Sequence, residues 1–182
     1  MHMCFKIYST PKMSESFWEN MFDQSDPNKL PLHQQAGWTD LSVVEWNMYV
    51  EQNITHILHD GDNVFEFGCG TGAFLDTCKV LFPNILCSGA DISRSAIDVM
   101  RNKYPNGSFF LCNEALSNIL DDSYDICVSN SVFQYIPMSN VKLIITELLR
   151  ISKRGVLLCD IFDQDRIEIM HAFFAKNQKS QT

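Results

Sequence analysis

The chain has 182 residues, 46% hydrophobic and 20% charged, with a formal net charge of −8. That is enough apolar chain for one domain with its own core, and too much for a disordered segment. The negative charge argues against a polynucleotide partner, no apolar run reaches the roughly 20 residues of a membrane helix, and Met1–Lys12 lacks the apolar core of a signal peptide.

In chain order, residues 1–37 are a polar, irregular lead-in. Within it Ser16 to Glu19 has capping-box spacing, and Phe17, Trp18, Met21 and Phe22 share one face of a short helix that Asp26-Pro27-Asn28 breaks. A longer helix is predicted from Ser42 to Leu58, with Val43, Trp46, Val50, Ile54, Ile57 and Leu58 near one stripe. After Asp60-Gly61-Asp62 the pattern alternates. Val64–Phe67 reads as strand, Ala73–Phe82 as helix and Ile85–Ala90 as strand. Ser93 caps a helix from Arg94 to Tyr104, and Phe109–Cys112 is a strand. Ala115–Leu120 is a turn or short helix, Tyr124–Ser129 a strand, and Ser139 caps a helix to Ser152. Val156–Asp160 is a strand and Ile167–Ala175 a last helix. Such alternation predicts an α/β fold, a parallel sheet with helices on both faces.

The seven cysteines, Cys4, Cys69, Cys78, Cys87, Cys112, Cys127 and Cys159, form no C-x-x-C pair, so neither a zinc site nor a disulfide framework is indicated. Several sit in apolar strand-like runs, where cysteine acts as a small hydrophobe. A reducing, cytoplasmic setting is the simplest account.

Residues 64–72 read Val-Phe-Glu-Phe-Gly-Cys-Gly-Thr-Gly. Apolar strand residues run into closely spaced glycines and then into a helix. Glycine lets the backbone turn sharply and approach a ligand, which would meet the unpaired N–H groups of a helix N-terminus. Gly68 to Ala73 also satisfies the dinucleotide fingerprint, with Asp91 at the spacing of a ribose contact, so this motif alone leaves NAD(P) open. Glu66 places negative charge where a pyrophosphate would sit, and better suits an ammonium-bearing ligand.

With these motifs in order, the sequence resembles the class I S-adenosylmethionine-dependent methyltransferases from Val64 through Asp160. The family's E/D-x-G-x-G-x-G motif stands as Glu66 to Gly72, its acidic residue after strand two as Asp91-Ile92, its polar pair as Asn113-Glu114, and its strand-four motif as Tyr124 to Phe133. The resemblance implies a Rossmann-like three-layer sandwich with a mainly parallel sheet. The family's C-terminal antiparallel strands have no counterpart in Lys176–Thr182, so they are expected to be missing. Residues 1–40 would be a lead-in and lid, and 41–182 a methyltransferase domain truncated at its C-terminus.

It further implies S-adenosyl-L-methionine as cofactor and no metal. Asp91 would hold the ribose hydroxyls, Ile92 an adenine face, and Asn113 or Glu114 the adenine edge. Glu66 with the backbone of Gly68, Cys69 and Gly70 would face the methionine part, and Asn130 and Phe133 would line the floor beside the sulfonium. Trp18, Trp38, Trp46 and Tyr49 are alternatives for an upstream aromatic contact. The implied reaction is methyl transfer to a small-molecule acceptor, less readily a protein. A catalytically silent binding subunit and an NAD(P)-dependent oxidoreductase are the alternatives. No catalytic residue is assigned, with Tyr135, Asp160, Asp163 and His33 as possible bases. No nucleic acid or membrane is expected as partner, and a homodimer or partner chain could cover the strand-five edge.

Overall fold

A computed structural model describes residues 14–23, 30–112 and 116–161. The elements are α1 (Glu15–Asp23), α2 (Leu32–Gln35), α3 (Val43–Ile54), β1 (Asn63–Phe67), α4 (Ala73–Leu81), β2 (Leu86–Asp91), α5 (Arg94–Lys103), β3 (Phe109–Leu111), β4 (Ile126–Asn130), α6 (Met138–Ile151) and β5 (Val156–Cys159). Short 3-10 turns at Leu116–Asn118 and Phe133–Tyr135 flank β4.

The strands form one sheet in the order β3-β2-β1-β4-β5, every pairing parallel. Chain direction across the sheet reverses between β1 and β4, the switch point where open α/β sheets leave a crevice at their carboxyl ends. Side-chain alternation builds a core on each face. Val64, Ile126 and Val128 pack with Trp46, Val50, Ile54, Leu75 and Met100, covering one face with α3, α4 and α5. Phe65, Phe67 and Cys127 pack on the other with Leu148 and Ile151 of α6. Burial on both faces explains why these strands read as continuous apolar runs. The result is the Rossmann-like three-layer sandwich expected, here with an all-parallel sheet.

Several local expectations shift. Ser14, not Ser16, caps α1, accepting from the Phe17 N–H at 3.2 Å. Ser42 and Glu45 close a reciprocal capping box on α3 as its predicted start requires, but that helix ends at Ile54 rather than Leu58. Ser139 does not cap α6; Pro137 occupies that position, and the Ser139 hydroxyl bonds the Asn140 side chain at 3.1 Å. α3 is a core element, its Trp46, Val50 and Ile54 buried. Asn113, Glu114, Asp163, the helix expected at Ile167–Ala175 and the tail at Lys176–Thr182 lie outside the described residues.

Candidate functional site

The carboxyl ends of the strands bring together residues far apart in sequence. Between β1 and α4, Gly68 and Cys69 both donate their N–H groups to the Ala90 carbonyl, at 2.7 and 3.1 Å, tying the loop to β2. Gly68 and Gly70 take positive φ, 78° and 48°. A Cβ at Gly70 would come within 2.9 Å of the Phe22 ring, and one at Gly68 would run into Val132. Glycine is therefore required twice over, by conformation and by space. From behind, Lys103 bonds both the Thr71 carbonyl (3.0 Å) and Asp76 (2.8 Å), bracing the loop.

Asp91, at the end of β2, is 6% exposed. Its Oδ2 accepts from the Gly70 N–H at 2.8 Å and its Oδ1 from the Ser93 N–H at 2.9 Å. Burial raises its pKa, with the bonds from Ser93 and Gly70 opposing the shift. A carboxylate has about four lone-pair sites, so acceptor capacity remains after both bonds. Glu66, two residues before Gly68, is 2% exposed and its Oε2 has no hydrogen-bond partner. Burial first, then the charges of Asp91 and Asp76, push its carboxyl well above the usual carboxylate range.

Across the switch point, Asn130 ends β4. Its Oδ1 accepts from the Tyr49 hydroxyl at 2.6 Å, which leaves the amide N–H₂ as its donor. Ser131 and Asp160, following β4 and β5, both adopt left-handed backbone, φ 57° and 51°. The Ser131 hydroxyl donates to Asp160 Oδ2 at 2.5 Å. Next to them Gln134 donates its amide N–H to the Ser131 carbonyl at 2.7 Å, and its Oε1 is buried without a partner.

Glu66, the glycine loop, Asp91, Asn130, Ser131, Gln134 and Asp160 line one cavity of about 860 Å³. Over it lies α1, held by contacts from its middle turn. Its Glu19 accepts from the Ser93 and Ser95 hydroxyls at 2.7 and 2.6 Å. Its Trp18 meets Tyr135 edge-on with ring centroids 5.0 Å apart. Among the described residues, the buried side-chain polar atoms lacking any partner are Glu66 Oε2, Thr71 Oγ1 and Gln134 Oε1, and all three residues line this cavity.

Of the residues singled out by sequence, Glu66, Gly68, Cys69, Gly70, Asp91, Ile92 and Asn130 line the cavity. Phe133 does not; it packs against Phe67 with centroids 6.2 Å apart, and its neighbours Val132, Gln134 and Tyr135 line the cavity instead. Among the aromatic alternatives Trp18, Trp38 and Trp46 are lining residues, whereas Tyr49 acts on the site through Asn130. Of the possible bases, Tyr135 and Asp160 are lining residues. His33 is not: it is buried against Trp46 and bonded to the Leu41 carbonyl at 3.0 Å. Lys103 carries no signal in the sequence, and Glu19 reads there only as a capping partner of Ser16, because their partners lie far along the chain. Gly89 carried a readable signal, a glycine inside a strand. A Cβ there would come within 2.7 Å of the Glu66 carbonyl oxygen.

A family model described as "Methyltransferase domain" matches residues 65–159. A malonyl-[acyl-carrier protein] O-methyltransferase of Bacillus cytotoxicus is 30% identical over 121 residues, 64% of this chain and 42% of that protein. The chain thus spans less than half the length of this curated relative. Among solved structures, geranyl diphosphate C-methyltransferase from Streptomyces coelicolor A3(2), in complex with Mg2+, geranyl diphosphate and S-adenosyl-L-homocysteine, superposes with a TM-score of 0.60 at 14% identity. The match covers 92% of this chain and 73% of that one. Magnesium protoporphyrin IX methyltransferase from Synechocystis, with bound SAM, gives 0.53 at 17% identity over 78% and 67%. At these identities the structural likeness shows the fold.

Proposed function

Since the chain belongs to the methyltransferase domain family, we propose that it binds S-adenosyl-L-methionine and transfers its methyl group to a small-molecule acceptor. The observation that carries this reading is the concentration of unpartnered buried polar atoms, Glu66 Oε2 foremost, on one apolar cavity beside the glycine turn. A buried carboxylate oxygen without a donor is costly, and a ligand ammonium would relieve it. Glu66 and the backbone of Gly68, Cys69 and Gly70 would hold the methionine part. Asp91 would take the ribose hydroxyls through its remaining lone pairs, with Ile92 beside the base. A pyrophosphate fits the same place poorly, since Glu66 and Asp91 would repel it, which disfavours the nicotinamide alternative.

When bound, the cofactor supplies an electrophilic methyl group already activated by the sulfonium. What falls to the protein is alignment of the acceptor and exclusion of water. The aromatic cover from α1 and the apolar walls serve the second task; Asn130, fixed by Tyr49, serves the first. Residues 1–40 act as cover and 41–182 as the methyltransferase domain, in a reducing, cytoplasmic setting. A second copy or a partner chain would pair with the edge of β5.

The test is calorimetric titration with S-adenosylhomocysteine and with NADH. Micromolar binding of the first and none of the second supports the reading; absence of S-adenosylhomocysteine binding overturns it. Asp91→Ala is expected to lower that affinity at least about 100-fold, two lost charge-assisted hydrogen bonds at ~1.5 kcal/mol each. A methyl-release assay over amine, thiol, hydroxyl and carboxylate acceptors then separates an enzyme from a silent binding subunit.

A further inference from the structure

The half of the cavity beyond Asn130 has its own chemistry. Its polar groups are Ser131, Gln134, Tyr135, Asn140 and Asp160, set among Trp18, Ile136 and Ile144. Gln134 and Ser131 are oriented by bonds to each other and to Asp160 so that acceptors are left over. One Gln134 N–H is spent on the Ser131 carbonyl, and the Ser131 O–H on Asp160 Oδ2. Left for a ligand are two acceptors, the buried, unpartnered Gln134 Oε1 and the second carboxylate oxygen of Asp160, and the second Gln134 N–H as a donor. Ser131 and Asp160 hold this arrangement in left-handed backbone, which is unfavourable for a non-glycine residue and persists where the surroundings enforce it.

The charge of the whole cavity points the same way. Glu66, Asp91 and Asp160 line it, and among the described residues no Lys, Arg or His does. With the cofactor's ammonium on Glu66 and its ribose on Asp91, an acceptor carrying a carboxylate would still be brought next to Asp160 with no cationic side chain beside it among the described residues. An ammonium meets the opposite situation: a carboxylate and an amide oxygen as acceptors, in a part of the cavity that the aromatic rings of Trp18 and Tyr135 also line.

Resting on the cofactor reading above, we propose that the acceptor subsite formed by Asp160, Gln134, Trp18 and Tyr135 selects an ammonium-bearing acceptor and rejects a free carboxylate. In this the chain departs from the relative named for O-methylation of a malonyl group, whose free acid is a carboxylate. Asp160 is the specificity-determining residue. Gln134 supplies the second acceptor, and the aromatic pair lines the same part of the cavity.

The experiment uses the full chain and matched aryl-alkyl probes of several chain lengths, each pair differing only in an ammonium or a carboxylate end. Binding is read by titration calorimetry with and without saturating S-adenosylhomocysteine. At least one ammonium member is expected to bind about tenfold or more tightly than its carboxylate match. Asp160→Asn should remove most of that preference while leaving S-adenosylhomocysteine affinity unchanged. Asparagine is tolerated in left-handed backbone, so this variant is expected to fold; an unchanged melting temperature checks it. Gln134→Leu should weaken the ammonium probe severalfold and serves as an independent readout. If no ammonium probe outbinds its match, or if Asp160→Asn leaves the preference intact, the proposal is overturned. Loss of S-adenosylhomocysteine binding in the parent chain would instead overturn the cofactor reading.

Discussion

Glu66 is the residue at which stability and binding pull in opposite directions. Its burial, 2% exposed, and the nearby charges of Asp91 and Asp76 raise its pKa in the folded chain above the unfolded value. A raised folded pKa means the protonated side chain fits best. Its contribution is fully present below the ordinary carboxylate range and is lost as pH rises through the folded pKa. Glu66→Gln, a neutral isostere, escapes that loss. The variant is expected to melt no higher than the parent near about pH 4, and higher near about pH 7.5 by at least roughly 2 °C, the shift of ~1 kcal/mol at this chain length. In the same variant S-adenosylhomocysteine should bind about tenfold more weakly, since the charged acceptor for its ammonium is gone. Thermal melts across pH, paired with calorimetry, read both. A variant that melts lower at neutral pH would mean that the carboxylate is stabilising where it stands.

At the scale of elements, α1 is the piece whose attachment is least dictated by its own sequence. Its four aromatic and methionine positions are legible as one apolar face, yet what they cover is decided by contacts with α5 and with the turn after β4. One carboxylate, Glu19, reaches the first turn of α5, where helix N–H groups and two serine hydroxyls favour negative charge. These bonds hold its pKa below the ordinary carboxylate range. A depressed pKa contributes stability that is present above the unfolded value and lost as pH falls through the folded one. Protonation in that acidic window should therefore loosen α1 before the sheet unfolds. Glu19→Ala is expected to reproduce the loosened state at neutral pH. Amide exchange over residues 14–23 should rise several-fold while β1 and β4 stay protected, as befits a locally opening unit. Equal exchange in parent and variant would show that the Trp18 and Phe22 contacts alone hold the helix.

Over the whole molecule, the parallel architecture was readable because strand and helix periods alternate at regular spacing. The glycine-turn side of the cavity is legible because Glu66, the glycines and Asp91 follow short, ordered motifs and line it together. The acceptor half is not. Ser131, Gln134 and Asp160 meet only after β4 and β5 pair, and no local pattern announces a left-handed serine or which of Phe133 and Tyr135 turns inward. Motif position points Phe133 at the site, whereas the structure packs it on Phe67.

The remaining whole-molecule property is charge, and it carries a kinetic consequence. The chain bears a formal net charge of −8, and three carboxylates line a cavity with apolar walls, a geometry that focuses a negative potential at its mouth. S-adenosylmethionine carries one net positive charge at neutral pH and S-adenosylhomocysteine none, while the two share nearly the same shape. The association rate of S-adenosylmethionine is therefore expected to fall a few-fold as salt rises from about 0.01 M to about 0.3 M, over which the screening length drops well below the size of the domain. That of S-adenosylhomocysteine should stay nearly flat. Stopped-flow measurement of both ligands on one preparation isolates the field from any salt effect on folding, since each serves as the control for the other. Equal salt slopes would mean that the cavity's field does not act on the approaching ligand.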